Sequence, residues 1–235
     1  MGKCSKHSGL FQMIMQIYPC EWKTNDSVRG GRMMRAGVIG LGDMGSGLAR
    51  NLIKAGIETT GLDLDRKRMS AFSEMGGKPA ADAGEVGAAS DAVYVMVMNG
   101  DQARSIILGT GGPDGGKDGL ISSMARGGAV ILTATIKPRE AREIAAGMEG
   151  TGIALIDSPV SGGFPGAQGG TLTMMAAAPK DILDKFRPVM EAVSATIHHV
   201  GDEPGQGQTV KACLQSLIGS IFSATFEASV LAAKA

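Results

Sequence analysis

Apolar residues along the chain fall into short blocks that alternate with segments of helical spacing. Ala36 to Ile39 is a brief apolar block closed by glycines, as a buried strand would be. Leu48, Leu52 and Ile53 then recur at helical spacing as far as Gly56, which is placed to be a C′ glycine. Ile57 to Asp63 reads as a second strand, and Asp65 can cap a helix running to Met75. Asp91 to Met98 is the clearest strand, with β-branched Val93, Val95 and Val97. Ala129 to Thr135 is another, and Pro138 opens a helix to about Met148. Ile153 to Val160 and Leu172 to Ala177 are further strands, with a helix from about Lys180 to Val193. Strands alternating with helices build βαβ units, so the expected fold is α/β, with a doubly wound, mostly parallel sheet and helices on both faces.

After His199 the texture changes. Gly201 to Gly207 is a Gly/Pro/acidic linker, and from about Gln206 the chain reads as helix to its end. Leu214, Leu217, Ile218, Ile221 and Thr225 form one stripe, broadened by Phe222 and Phe226. Roughly 30 residues cannot build a core of their own, since domains below about 40 usually need staples or partners. The helix must therefore dock on the preceding domain or on another chain. The expected division is 34–200 as one domain and 201–235 as linker and helix.

Composition narrows the class. The chain has 235 residues, with Lys+Arg and Asp+Glu balanced at 23 each. That balance excludes a large basic field for nucleic acid or a membrane surface. Glycine is the outlier at 36 residues, without a G-X-Y period. Cys4, Cys20 and Cys213 are widely spaced and form no C-x-x-C pair, which fits a reducing cytoplasm and offers no zinc site. No stretch reaches the roughly 18 consecutive apolar residues of a spanning helix, so no membrane partner is expected. Near the N-terminus, Lys3 and Lys6 precede a short apolar run, but no small-residue cleavage site follows. Met1-Gly2 lacks the Ser or Thr at position six that acylation wants. Residues 1–33 read instead as an unstructured extension upstream of a natural start at Met33 or Met34.

Several motifs bear on chemistry. Gly40-Leu41-Gly42-Asp43-Met44-Gly45 is a G-x-G-x-x-G between a strand and a helix. Its glycines allow a tight turn, approach of backbone to a pyrophosphate and close helix packing, with the helix N-terminus facing the anion. Asp63 ends the next strand, near the roughly 20-residue spacing expected of an acid on a ribose 2′-hydroxyl. Such an acid repels a 2′-phosphate and favours NAD, while Arg66, Lys67 and Arg68 could neutralise one and leave NADP open. Gly111 to Lys117 matches the start of a phosphate loop, but Asp118 replaces the magnesium-binding Ser or Thr, and no strand leads in. It reads as a plain loop. Asp157 to Gly163 ends a strand with a hydroxyl and two glycines, either a carboxylate-holding turn or a structural bend. Lys211 falls in the first turn of the last helix, where the dipole disfavours a cation and lowers its pKa. An acid–base lysine and a solvated surface lysine are both open, and Gln215 shares its face at i+4. His198 and His199 sit on a short strand and point oppositely, so they share no metal.

Taken together, these pieces resemble the β-hydroxyacid dehydrogenase family, related to 3-hydroxyisobutyrate dehydrogenase, and within it the L-threonate dehydrogenase branch. The resemblance rests on G-L-G-D-M-G at Gly40–Gly45, D-S-P-V-S-G-G at Asp157–Gly163 and G-Q-G-Q-T-V-K ending at Lys211, with T-A-T-I-K-P at Thr133–Pro138 supporting the branch. It runs almost continuously from Arg35 to Ala235. It implies a Rossmann-type domain and NAD(P)-dependent oxidation of a small hydroxy acid, or reduction of the matching oxo acid. It also implies that Gly40, Leu41, Gly42, Asp43, Met44, Gly45 and Asp63 hold the adenosine and pyrophosphate. Met98, Asn99 and Thr135 would meet the nicotinamide half; Ser161, Gly162 and Gly163 would take the substrate carboxylate. Lys211 would be the acid–base, with Gln215 orienting substrate or lysine where most members carry Asn. Ser158 replaces the usual Ala, and Leu214 the usual Asn or His. The family continues through an all-helical C-terminal domain that builds a dimer; here the chain stops within that domain's first helix, which is expected to mediate a homo-oligomer.

Overall fold

The computed structural model describes residues 33–110 and 119–234. The expected extension ahead of Met33, Cys4, Cys20 and the rejected phosphate loop lie outside the described residues. Nine described strands form one sheet: β1 Ala36–Ile39, β2 Thr59–Leu62, β3 Lys78–Pro79, β4 Ala92–Val95, β5 Ala129–Leu132, β6 Ala154–Asp157, β7 Val160–Ser161, β8 Leu172–Ala177 and β9 Ser194–Gly201. Their order is β3-β2-β1-β4-β5-β6-β8-β7, with β9 on β8, and β1 to β6 run parallel. Helices α1 Asp43–Lys54, α2 Arg66–Glu74 and α8 Lys180–Glu191 cover one face; α3 Ala83–Ala89, α4 Gly100–Leu108, α5 Leu120–Ser123 and α6 Pro138–Gly147 cover the other. This is the doubly wound, Rossmann-like sheet expected from the alternation of elements.

Strand period fixes which side chains build which face. Ala92 and Tyr94 of β4 and Ala129 and Ile131 of β5 join Leu48, Leu52, Phe72 and Phe186 on the first face. Their neighbours Val93, Val95, Val130 and Leu132 join Ile107, Leu120 and Ile144 on the second. Tyr94 is the one buried phenol among the described residues, and its hydroxyl donates to the Val189 carbonyl of α8 at 2.8 Å, so even this core position leaves no polar atom unpaired.

Four strands are shorter than expected, β2 covering Thr59–Leu62 within the expected Ile57–Asp63. β4 ends at Val95 and not Met98, because its neighbours end level with it at Ile39 and Leu132, and beyond them there is no ladder to join. For the same reason β5 stops at Leu132; the Thr133 and Ala134 amides both turn onto the Val95 carbonyl at 3.1 Å. The expected strand Ile153–Val160 is split at Ser158-Pro159, yet both halves lie in one register against β8, through Asp157–Ala177, Val160–Met174 and Ser161–Thr173. Proline removes the donor, and its carbonyl still takes the Met175 amide at 3.1 Å.

That register has a consequence for position. β8 starts beyond the edge where β6 ends and runs back to it; β9 lies parallel to β8 and finishes with Gly201 opposite Ala177. The chain therefore leaves β9 level with Asp157, and α9, Gln206–Lys234, starts there. Only the beginning of α9 is enclosed, with Gly207, Gln208 and Lys211 buried. Leu217, Ile221, Phe222, Phe226, Val230 and Leu231 are exposed. By length and composition α9 could cross a membrane: an 18-residue window has mean hydropathy 1.4 and none of it is buried. The expectation that no stretch reaches that mark is corrected here: Ser, Thr and Glu interrupt the apolar run, but its average over 18 residues is still that of a spanning helix.

Candidate active site

Parallel strands bring their C-terminal ends to one edge, and most of the singled-out residues follow those ends directly. Gly40 follows β1, Asp63 follows β2, Met98 and Asn99 follow β4, Thr135 follows β5, and Ser161 to Gly163 follow β6 through β7. The order β2-β1-β4 reverses the direction of winding at β1 and β4, the point of an open α/β sheet outside whose strand ends ligands bind. The glycine turn follows β1 and the Met98-Asn99 segment follows β4 at that point.

The three glycines of the turn differ in what forbids a side chain. Gly40 has φ +91°, and a Cβ there would strike the Met96 carbonyl oxygen. At Gly45 a Cβ would strike the Gly40 carbonyl oxygen. At Gly42 φ is −65° and the nearest atom to a Cβ would be Arg68 Nη1 at 3.8 Å, so packing within the protein asks for no glycine. Gly42 is also the N-cap of α1 and supplies no side-chain oxygen to its first turn. Open space plus uncapped donors is what a dinucleotide pyrophosphate requires, and the residues present fit that group.

Asp63 braces the turn. Its side chain is 8% exposed, with Oδ2 accepting from the Leu41 amide at 2.7 Å and Oδ1 from the Asp65 amide at 2.8 Å. Arg68 approaches Oδ2 at 3.4 Å and Asp65 at 4.0 Å, so one member of the basic trio is paired with acids. Asn99 is the N-cap of α4, accepting from the Gln102 amide at 2.9 Å, while the Met98 amide donates to Gln102 Oε1. The Met98 side chain is exposed, as are Thr135 and Gln215. Gly162 and Gly163 both have positive φ, +127° and +58°, and open α7, Gly163–Gly169.

Lys211 differs from its expected setting. It is the sixth residue of α9 and so lies in the second turn, not the first. Its pKa is lowered as expected, but burial is the cause, with 8% of the residue exposed. Gln215, one turn on, has already left the enclosed part of the helix.

Two side chains that sequence reasoning passed over tie these pieces together. Asp157 ends β6 with no exposure, and its Oδ2 accepts from the amides of Gly205 at 2.8 Å and Gln208 at 3.3 Å, capping α9 from outside the helix. Burial pushes the Asp157 carboxyl up, and the donors from Gln208, Gly205 and Gly207 pull it back. Gln208 Nε2 donates to Asp157 Oδ1 at 2.9 Å and to the Ala134 carbonyl at 3.0 Å, while its Oε1 accepts from the Ile136 amide at 3.0 Å. Close approach of α9 is possible because Gly207 has no side chain: a Cβ would lie 2.5 Å from the Met175 carbonyl oxygen. A polar pair flanked by apolar strand residues and glycines was the available signal. Ser158, beside Asp157, is buried with no hydrogen-bond partner for its hydroxyl among the described residues, so an alanine would fit there at less cost. His199 Nε2 lies 3.1 Å from the Ala178 carbonyl and 3.2 Å from Asp202, and no cluster able to hold a metal occurs among the described residues.

Residues 35–201 match the family model of the NAD binding domain of 6-phosphogluconate dehydrogenase. The chain belongs to this family. Among curated relatives, the NAD-binding-domain chain is 34% identical over 209 residues to L-threonate dehydrogenase of Escherichia coli O6:H1, covering 88% of this chain and 67% of the relative. It is 35% identical over 196 residues to 3-hydroxyisobutyrate dehydrogenase of Pseudomonas aeruginosa, covering 83% and 63%. Among solved structures, 3-hydroxyisobutyrate dehydrogenase from Salmonella typhimurium superposes with a TM-score of 0.76 at 35% identity, over 86% of this chain and 68% of that one. The chain thus spans about two thirds of the length of the relatives it matches. Membership in this NAD-binding family agrees with the glycine turn, the uncapped helix and their place at the C-terminal edge of the parallel strands.

Proposed function

We propose that this chain belongs to an NAD-dependent dehydrogenase of small hydroxy acids, with L-threonate and 3-hydroxyisobutyrate as the substrate type and NADP as the alternative cofactor. The observation that carries the reading is Lys211, a buried lysine with a lowered pKa on a helix that starts at the same sheet edge as the glycine cradle. Names of relatives at 34% and 35% identity support the substrate class. Residues 34–200 then form the nucleotide-binding domain, and 201–235 form a linker and the first helix of a helical domain.

In this reading the neutral Lys211 amine takes the hydroxyl proton of the substrate, and the resulting ammonium stabilises the developing alkoxide. Gly40 to Gly45 and Asp63 bind and orient the dinucleotide, with Thr135, Met98 and Asn99 lining its reactive end. Ser161, Gly162 and Gly163 hold the substrate carboxylate, and Gln215 contacts its far side or the lysine. The bound nicotinamide supplies the hydride acceptor. Reduction of an oxo acid such as glyoxylate or tartronate semialdehyde is the same arrangement run backwards. The exposed stripe of α9 would be covered by a second copy of the chain.

The test is NADH formation from NAD with a panel of hydroxy acids, L-threonate and 3-hydroxyisobutyrate among them, by the wild type and by Lys211→Met. Turnover should fall at least about 10²-fold in the variant, with NADH affinity retained. Because the neutral amine is the active form and burial lowers its pKa, kcat/KM for oxidation should rise with pH through a midpoint below the ordinary lysine value of 10.5. Equal rates for wild type and variant would sink the assignment.

A further inference from the structure

We infer that Asp157 and Gln208 are the positioning residues of this site, a buried latch that sets the Lys211 helix, the Thr135 loop and the 157–163 turn in one fixed relation. The inference rests on the reading of Lys211 as the acid–base and names the groups that hold it in place.

Valence carries the argument. The amide of Gln208 has two hydrogens and one oxygen, and each is used: the hydrogens on Ala134 O and Asp157 Oδ1, the oxygen on the Ile136 amide. With 1% of the residue exposed, water cannot substitute for any of them. Turning the amide over would set its oxygen against a carbonyl and a carboxylate, so one orientation alone is satisfied. Its bonds to residues 134 and 136 bracket Thr135 as a neighbouring strand would, which fixes the backbone there while the Thr135 side chain stays exposed.

Asp157 supplies the other half. It is the last residue of β6, so the turn leading to Ser161 starts from it, and the same carboxylate holds the Gly205 and Gln208 amides. Its charge lies against the positive end of α9, which favours the seated position. Lys211 is three residues past Gln208, the next turn of the same helix, so any slip of the first turn is passed to its amine. On the elements packed against α9, Arg139, Glu140, Arg142 and Glu143 of α6 and His198 and His199 of β9 are exposed or half-exposed. Asp157 is the fully buried charge of that set. A cap for helix stability alone would need the carboxylate; it would not need Gln208 to reach across to both sides of Thr135.

The test reads Lys211 without relying on turnover. The full chain, Asp157→Asn, Gln208→Met and a core control, Leu183→Ala, are labelled with acetic anhydride across pH, and the Lys211 peptide is followed by mass spectrometry. The wild-type midpoint for Lys211 should lie below the ordinary lysine value of 10.5. In Asp157→Asn and Gln208→Met it should move toward that value. Leu183→Ala should melt earlier with the Lys211 midpoint unmoved. Gln208→Met leaves the carboxylate on the Gly205 amide, so it stays readable if Asp157→Asn does not fold. An unmoved midpoint in a folded latch variant, or an equal shift in Leu183→Ala, overturns the inference. Absent wild-type turnover would count against the proposed function alone.

Discussion

Gly42 and Gly45 sit three residues apart and lack side chains for opposite reasons, which makes them a sharp test at the scale of one methyl group. A Cβ at Gly45 meets a backbone oxygen, and backbone cannot step aside cheaply; Gly45→Ala should cost about 1–3 kcal/mol or more. Gly42→Ala meets nothing closer than 3.8 Å at an ordinary φ, so its cost is confined to the N-cap preference for glycine over alanine, about 1 kcal/mol. Its methyl instead occupies the space left for the pyrophosphate, and NADH affinity should fall at least about tenfold. Thermal melts with and without NADH check both. The sequence displays the motif but not this division of labour, because spacing says where glycines fall and not what faces them. Lys211 makes a similar point: its residue type and helix were legible, whereas its burial depends on where α9 packs, against elements distant in the chain.

At the scale of elements, the joint between α1 and α7 connects the cofactor cradle to the 161–163 turn. Asn51 of α1 donates to Ala167 O at 2.9 Å, Gln168 O at 3.3 Å and its own Gly47 O at 2.8 Å. Gln168 returns the contact through Asp43 O at 3.0 Å. Asn51→Ala removes the side-chain donor to the Ala167 carbonyl, which keeps the Gly170 amide at 3.4 Å, and should lower stability by about 1 kcal/mol, a fall in Tm of about 2–4 °C by calorimetry. Long amphipathic helices such as α1, α6 and α8 could be read from their stripes, and the N-cap at Asp65 fell where expected. α7 could not: Gly163, Pro165, Gly166 and Gly169 read as a turn, and its helical form depends on packing against α1. α3 was missed for a related reason, since Ala83–Ala89 consists largely of small residues with little apolar stripe to reveal it.

At the scale of the molecule, α9 presents a protein-sized problem. Phe222 and Phe226 stack at 6.0 Å on its surface, 56% and 66% exposed. If a second copy covers this face, the chain should sediment above monomer mass, and Phe222→Ser with Phe226→Ser should return it to monomer without lowering NADH affinity. A monomeric wild type by sedimentation velocity would refute self-association. The order of the parallel strands and the place of the glycine turn at their C-terminal edge follow from winding rules that the alternation of elements already invokes, so the architecture was legible as a whole. The overhang of β8 and β9 was not, because register is a property of pairs of strands.

The latch also has a history in time. The bond that braces the glycine turn, Leu41 to Asp63, closes 22 residues, whereas those that seat α9 reach across 48 residues to Asp157 and 74 to Ala134. Loop closure taxes distant pairs more heavily, and contacts of large separation form late. A chain emerging and folding from its N-terminal side would therefore be able to grip a dinucleotide before its lysine is in place. On the proposed roles of these residues, a species arrested between the two steps would hold its cofactor idle.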